Sequence, residues 1–176
     1  MVNAASDITP ELLAHHGVSA VMVDLDDTLV ASGSRELAEP LRAWLAALRR
    51  AGVGVLILSN GERVRVRLFA ATLGVEGLAL SGKPFFWAFR RGLRRLGTSA
   101  QATAMVGDQL FTDVLGANLA GLKSILVSPL TPGGLPHTRA ARRLERLILR
   151  RTPPAGAGGP ELQPRPDGYD RPSAKR

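Results

Sequence analysis

The sequence of 176 residues predicts a single α/β domain: a mostly parallel, five-stranded sheet with helices on both faces. Three observations carry that expectation. Short runs such as "VSAVMVD", "VGVLILS" and "ATAMVG" are continuously apolar rather than alternating, the mark of strands buried on both faces. Stretches of 10 to 16 residues with helical spacing separate them, so right-handed crossovers join the strands and leave them parallel. Polar residues out of keeping with their surroundings, Asp24, Ser59, Lys83 and Asp108, each fall at a strand end. That is the edge on which Rossmann-like sheets bind ligands, at the point where strand order reverses.

The elements follow in order. "DITPELLAHHG" is a short helix with Thr9 as N-cap, Pro10 at the first helical position and Gly17 as stop. His15 and His16 sit at its end, solvated and without a role. "VSAVMVD" is the first strand, and "RELAEPLRAWLAALRRAG" is a helix with Leu37, Leu41, Leu45 and Leu48 at helical spacing, ending at Gly52. "VGVLILS" is the second strand, "ERVRVRLFAATLG" a helix and "VEGLALS" a weaker strand. "PFFWAFRRGLRRLG" is an amphipathic helix with Phe85, Phe89 and Leu93 on one side, so Phe85, Trp87 and Phe89 are expected to pack rather than to stack on bases. "ATAMVG" is the fourth strand, "FTDVLGANLAG" a helix and "KSILVS" the fifth strand. A basic helix, "HTRAARRLERLILRR", closes the domain at residues 1–151. Residues 152–176, rich in Pro, Gly and charge with almost nothing to bury, form a disordered tail.

Composition narrows the function. With no cysteine there is no disulfide, thiolate nucleophile or zinc-thiolate site, which suits a reducing compartment. The N-terminus lacks the basic start and apolar run of a secretion signal, and no apolar stretch is long enough to span a bilayer, so the expected location is cytoplasmic. The net charge of +8 comes from 20 Arg against 3 Lys. Such a balance suits nucleic acid or anionic membranes, but arginine spread along the whole chain decides little, and nucleic acid is not the expected partner. The acids say more. Of six aspartates before the tail, five form two clusters, 24/26/27 and 108/113. The run "VMVDLDDTLV" sets three carboxylates within four positions behind a strand, a concentration that needs a cation or an unusual proton distribution.

"DLDDT", "LSN", "GKP" and "GDQLFTD" resemble, in order and each at a strand end, the four motifs of the haloacid dehalogenase-like phosphatases. "ITPELL", "VGDQLFTDVLGANLAG" and "HTRAARRLERLIL" narrow the likeness to the small bacterial YqeG branch, which is similar to the phosphatidylglycerophosphate phosphatases of yeast mitochondria. The likeness runs from about Asp7 to Arg151.

The resemblance implies a phosphomonoester hydrolase. Asp24 would attack phosphorus and form an aspartyl-phosphate, and Asp26 would protonate the leaving alkoxide and then deprotonate water. Thr28 would orient Asp26, while Asp27 occupies the variable position. Mg²⁺ would be held by the Asp24 and Asp108 carboxylates and the Asp26 carbonyl, with Asp113 orienting a metal water or Lys83. Ser59 and the Asn60 amide would cradle the phosphoryl group, and Lys83 would neutralise its oxygens.

Simpler roles compete. Asp24 and Asp26 could cap a turn, Asp108 could be a turn residue after Gly107, and Ser59 or Asn60 an N-cap. Lys83 could be surface charge, and Asp113 could complement a helix dipole. The spaces after the first motif and between the second and third hold no cap domain. An open site implies closure by a partner subunit, hence a homo-oligomer, or a large or surface-embedded substrate such as a phospholipid head group. The helix at 137–151, with Ala140, Leu144, Leu147 and Ile148 on one side and arginines around the rest, would then contact an anionic membrane peripherally. The alternatives are a phosphatase of soluble sugar phosphates, nucleotides or a phosphoprotein, and a non-catalytic basic binding protein.

Overall fold

The computed structural model describes residues 2–131, so the basic helix expected at 137–151 and the tail at 152–176 lie outside the described residues. Five strands form one sheet: β1 (Ala20–Val23), β2 (Gly54–Leu58), β3 (Glu76–Leu78), β4 (Thr103–Gly107) and β5 (Lys123–Leu126). Their order is β3-β2-β1-β4-β5, and every pairing is parallel. The chain builds outward from β1 through β2 to β3, then crosses back to lay β4 against the other side of β1. The switch point therefore lies at the carboxyl ends of β1 and β4. Val23 pairs with both Ile57 and Val106, so the residues leaving β1, β2 and β4 emerge level with one another.

Buried parallel strands alternate their side chains between two covered faces. Val21, Val23 and Ile57 point to the face covered by α2 (Glu39–Arg50) and α3 (Arg63–Leu73), with Trp44, Leu45, Leu48 and Phe69 in the same cluster. Met22, Leu56, Leu58 and Met105 point to the other, covered by α4 (Phe86–Leu96) and α5 (Gly116–Leu119), where Phe89 is fully buried. The Trp44 indole donates to the Ile8 carbonyl at 2.7 Å, which ties α2 to the segment before α1 (Pro10–His15). At the start of α1, Thr9 Oγ1 accepts from the Leu12 amide at 3.2 Å, as its sequence position predicts. His15 and His16 are exposed.

Three elements differ from expectation. The second helix begins at Glu39, four residues later than its sequence pattern suggests. Pro40 sits in the first turn, where a missing N–H costs nothing, and Leu37 is buried from the preceding loop. Phe85 does not share a helical face with Phe89 and Leu93. It is the extended N-cap of α4, with φ −67° and ψ 138°, and its exposed ring stacks on the exposed Trp87 at 4.3 Å. Of those three aromatics only Phe89 packs in the core. The helix after β4 opens as a π-helical turn, Leu110–Leu115, and continues as α5, shorter than its sequence implies.

Candidate active site

Asp24 is the first residue beyond β1. Its amide donates to the Val106 carbonyl at 2.9 Å, which extends the sheet by one bond and sets the side chain between β2 and β4. The chain then turns on itself, with the Asp27 amide on the Val30 carbonyl at 2.7 Å and the Leu29 and Val30 amides on the Leu25 carbonyl. Asp27 holds a left-handed φ of 62°, a conformation aspartate tolerates. Its carboxylate accepts from the Ser32 amide at 3.1 Å and the Ser32 hydroxyl at 2.7 Å. The third acid of the motif therefore builds the loop.

Lys83 enters from the loop after β3. Its ammonium donates to Asp24 Oδ1 and to Asp113 Oδ1, both at 2.7 Å, and all three side chains are buried. Asn60 fixes this lysine from behind. Its Oδ1 accepts from the Ser81 hydroxyl, the Gly82 amide and the Lys83 amide, and its Nδ2 donates to the Lys83 carbonyl at 2.9 Å. Asn60 thus lies three residues before α3 and caps no helix, and Ser59 does not cap α3 either. Ser59 is buried, and its Oγ accepts from the Gly61 amide at 2.9 Å.

Asp108 and Asp113 complete the cluster from the chain after β4. Asp113 Oδ2 accepts from the Gln109 amide at 3.1 Å and lies so close to Gly107 that any side chain there would collide with it. Carboxylate oxygens of Asp24, Asp108 and Asp113 all lie within 4.8 Å of one another. Thr28 serves this cluster: its hydroxyl donates to Asp108 Oδ1 at 3.3 Å, and the expected contact with Asp26 is not made. Asp26 stands apart, a third exposed, and pairs with Arg65 of α3 at 2.8 Å.

The electrostatics reflect the crowding. Burial, which penalises the charged carboxylate, pushes Asp24 up to about 7; Lys83 opposes the rise, and Asp113 and Asp108 add to it. Burial acts on Lys83 in the opposite sense, but Asp113 and Asp24 outweigh it and hold the ammonium above the ordinary lysine range. The donor set is all carboxylate oxygen, which fits a hard divalent cation such as Mg²⁺, with Asp24, Asp108 and Asp113 as the side chains that could hold it.

A sign follows for stability. A carboxyl whose folded pKa is raised contributes stability that is present below its ordinary value of 3.8 and is lost as pH rises through about 7. A divalent cation binds the ionised form and reverses that loss. Tm measured with and without Mg²⁺ should therefore differ more at pH 8 than at pH 5.5. A shift that is the same at both pH values would mean that the cation binds away from Asp24.

Residues 6–121, which span all four motifs and the cluster, match the model of the haloacid dehalogenase-like hydrolases. The chain belongs to this family. Among curated proteins, this hydrolase is 37% identical over 142 residues to a probable phosphatase, YqeG, of Bacillus subtilis, covering 81% of this chain and 83% of that one. It is 27% identical over 151 residues to a chloroplastic/mitochondrial phosphatidylglycerophosphate phosphatase of Arabidopsis thaliana, covering 80% of this chain but only 43% of that longer protein. A cobalt-bound deoxy-D-mannose-octulosonate 8-phosphate phosphatase of Haemophilus influenzae shares the fold, with a TM-score of 0.52 at 18% identity over 77% of this chain and 89% of that one. The chain is a hydrolase of a family whose members here carry the name phosphatase. Among the described residues no helix is long and apolar enough to cross a membrane.

Sequence reasoning missed one residue of the site, Arg65, and one part played by Asn60. Arg65 is one of three arginines spaced by two in "ERVRVRLF", and only the helical phase, which the string does not reveal, turns it towards Asp26. Asn60 was expected to contribute its backbone amide; the part the sequence did not show is its side chain, which braces Lys83.

Proposed function

We propose that this hydrolase is a Mg²⁺-dependent phosphomonoesterase that works through an aspartyl-phosphate on Asp24. The observation that carries the reading is the position of Asp24: buried at the switch point, with Lys83 on one oxygen and Asp108 and Asp113 beside it. A carboxylate attacking a phosphate monoester needs fixed positive charge where the phosphoryl oxygens gather, and the buried Lys83 ammonium supplies it. Bound Mg²⁺ would add further positive charge against the same oxygens.

The chemistry of the residues runs in two halves. Asp24 oxygen bonds to phosphorus as the ester P–O bond breaks, and Asp26 gives its proton to the departing alkoxide. Water then bonds to phosphorus as the Asp24–phosphorus bond breaks, Asp26 takes the proton back, and inorganic phosphate leaves. Ser59, one residue beyond β2, lines the cradle for the transferred group.

For the substrate we favour a phospholipid monoester of the phosphatidylglycerophosphate type. The plant relative bears that name, and between β1 and β2, and between β2 and β4, the chain holds only α2, α3, β3 and α4 with their loops, so nothing from those segments closes over a small substrate. The test is phosphate release from phosphatidylglycerophosphate, a soluble sugar phosphate, a nucleotide and a phosphoprotein, each with Mg²⁺ and after chelation. Release from the lipid, abolished by EDTA and restored by Mg²⁺, is expected. Preference for a soluble member would move the substrate assignment, and no metal-dependent release from any member would overturn the phosphatase reading.

A further inference from the structure

The loop that carries Asp26 is tied to α3 by one guanidinium. Arg65 Nε donates to Asp26 Oδ1 at 2.8 Å, Nη1 donates to the Ser34 carbonyl at 2.6 Å, and the group lies over the Phe69 ring at 5.1 Å. The remaining nitrogen, Nη2, is buried without a hydrogen-bond partner. A buried N–H left unpaired is unfavourable, so this placement does not serve the arginine's own satisfaction. The two acceptors and the ring determine it, and a planar fork held on both sides has little freedom to rotate.

The carboxylate is oriented as a result. With Oδ1 engaged by Arg65, Asp26 Oδ2 lies 3.0 Å from the point where a side chain at Gly61 would begin, and Ser59 Oγ lies 3.1 Å from that same point. Oδ2 and the Ser59 hydroxyl thus border one small space, open because residue 61 has no side chain. Ser59 belongs to the proposed phosphoryl cradle, so the free oxygen of Asp26 is the one turned towards the reacting group. Thr28, the residue expected to orient Asp26, is occupied with Asp108 instead.

We propose that Arg65 is the positioning residue of the acid-base catalyst, a fork from α3 that takes one oxygen of Asp26, anchors the following loop at Ser34, and holds the other oxygen at the phosphoryl cradle. The proposal rests on the reading of Asp26 as proton donor and acceptor. It is distinct from a stabilising ion pair, because its effect should fall on proton transfer.

The test compares wild type with Arg65→Gln, Arg65→Lys, Asp26→Asn and the double variant Arg65→Gln/Asp26→Asn, on an alkyl phosphomonoester and on p-nitrophenyl phosphate, with crystal structures of wild type and Arg65→Gln. In Arg65→Gln, kcat on the alkyl ester should fall roughly 100-fold, the scale expected of a displaced catalytic group, with KM little changed. The fall on p-nitrophenyl phosphate should be smaller, since that leaving group hardly needs a proton. Arg65→Lys should recover part of the loss, and Arg65→Gln should cost nothing further in the Asp26→Asn background. In the Arg65→Gln crystal the Asp26 carboxylate should leave its place beside Gly61. Equal losses on the two esters, a loss that multiplies with that of Asp26→Asn, or an Asp26 unmoved in the crystal would each overturn the proposal. Failure of the phosphatase reading looks different: wild type would release phosphate from neither ester, and the crystal structures would still decide whether Arg65 positions Asp26.

Discussion

Asp24→Asn should abolish turnover, by a factor on the order of 10⁴ or more, the scale on which a covalent nucleophile contributes, and leave the circular dichroism spectrum unchanged. The amide is isosteric with the carboxylate it replaces, the Asp24 backbone keeps its bond to Val106, and Lys83 keeps Asp113, so the loop has no reason to rearrange. Asparagine cannot form the acyl phosphate, however, because its amide nitrogen and oxygen are poor nucleophiles. A second measurement tests the same carboxylate without turnover. Beryllofluoride with Mg²⁺ mimics a phosphorylated aspartate, so it should raise the Tm of wild type and leave the variant unaffected. Turnover in Asp24→Asn near that of wild type would remove Asp24 from the chemistry.

Lys83→Met should damage both activity and stability. The ammonium is buried between two buried carboxylates, and methionine, similar in length, fills the space without the charge. Breaking a buried ion pair from one side leaves uncompensated charge and costs roughly 3 to 5 kcal/mol, or about 6 to 20 °C in Tm for a chain of this size. The pH dependence identifies the cause. Without the lysine, Asp24 loses the charge and the hydrogen bond that draw its pKa down, so the variant should lose stability as pH rises and recover towards pH 5 as the carboxyls take up protons. A Tm within about 2 °C of wild type at pH 8 would mean that the cluster tolerates the loss.

The sheet was legible because buried parallel strands leave a plain trace, continuous apolar runs ended by a polar residue that has no packing reason to be there. β3 was the weakest reading and is the shortest of the five strands, Glu76–Leu78. Helix starts were read less well. The leucine spacing from Leu37 onward runs through Pro40, and the position of a proline in the first turn, rather than hydrophobic periodicity, determines where α2 begins. Phe85 misled in the same way, since Phe85, Phe89 and Leu93 at four-residue spacing share one face only if all three are helical.

In the site, residues at strand ends were visible because register alone brings them together: Asp24 and Asp108 leave adjacent strands, and Lys83 follows a third. Partnerships made by side chains across elements were not. Nothing in the string says that Thr28 turns to Asp108, that Asp27 closes on Ser32, or that the second of three arginines reaches a residue 39 positions away.

The brace around Lys83 has a chemical consequence. Asn60 is followed by glycine, the sequence most prone to spontaneous deamidation, in which the glycine nitrogen attacks the asparagine side-chain carbonyl and ring closure releases ammonia. Here that carbonyl is pinned by three donors from residues 81–83, and the attacking nitrogen is itself engaged with the Ser59 hydroxyl. The contacts that set Lys83 therefore also hold the Asn60 amide away from the geometry that ring closure needs. Conversion to aspartate would set an acceptor against the Lys83 carbonyl in place of the donor. Covalent durability and the placement of Lys83 thus share the same three hydrogen bonds to the Asn60 carbonyl.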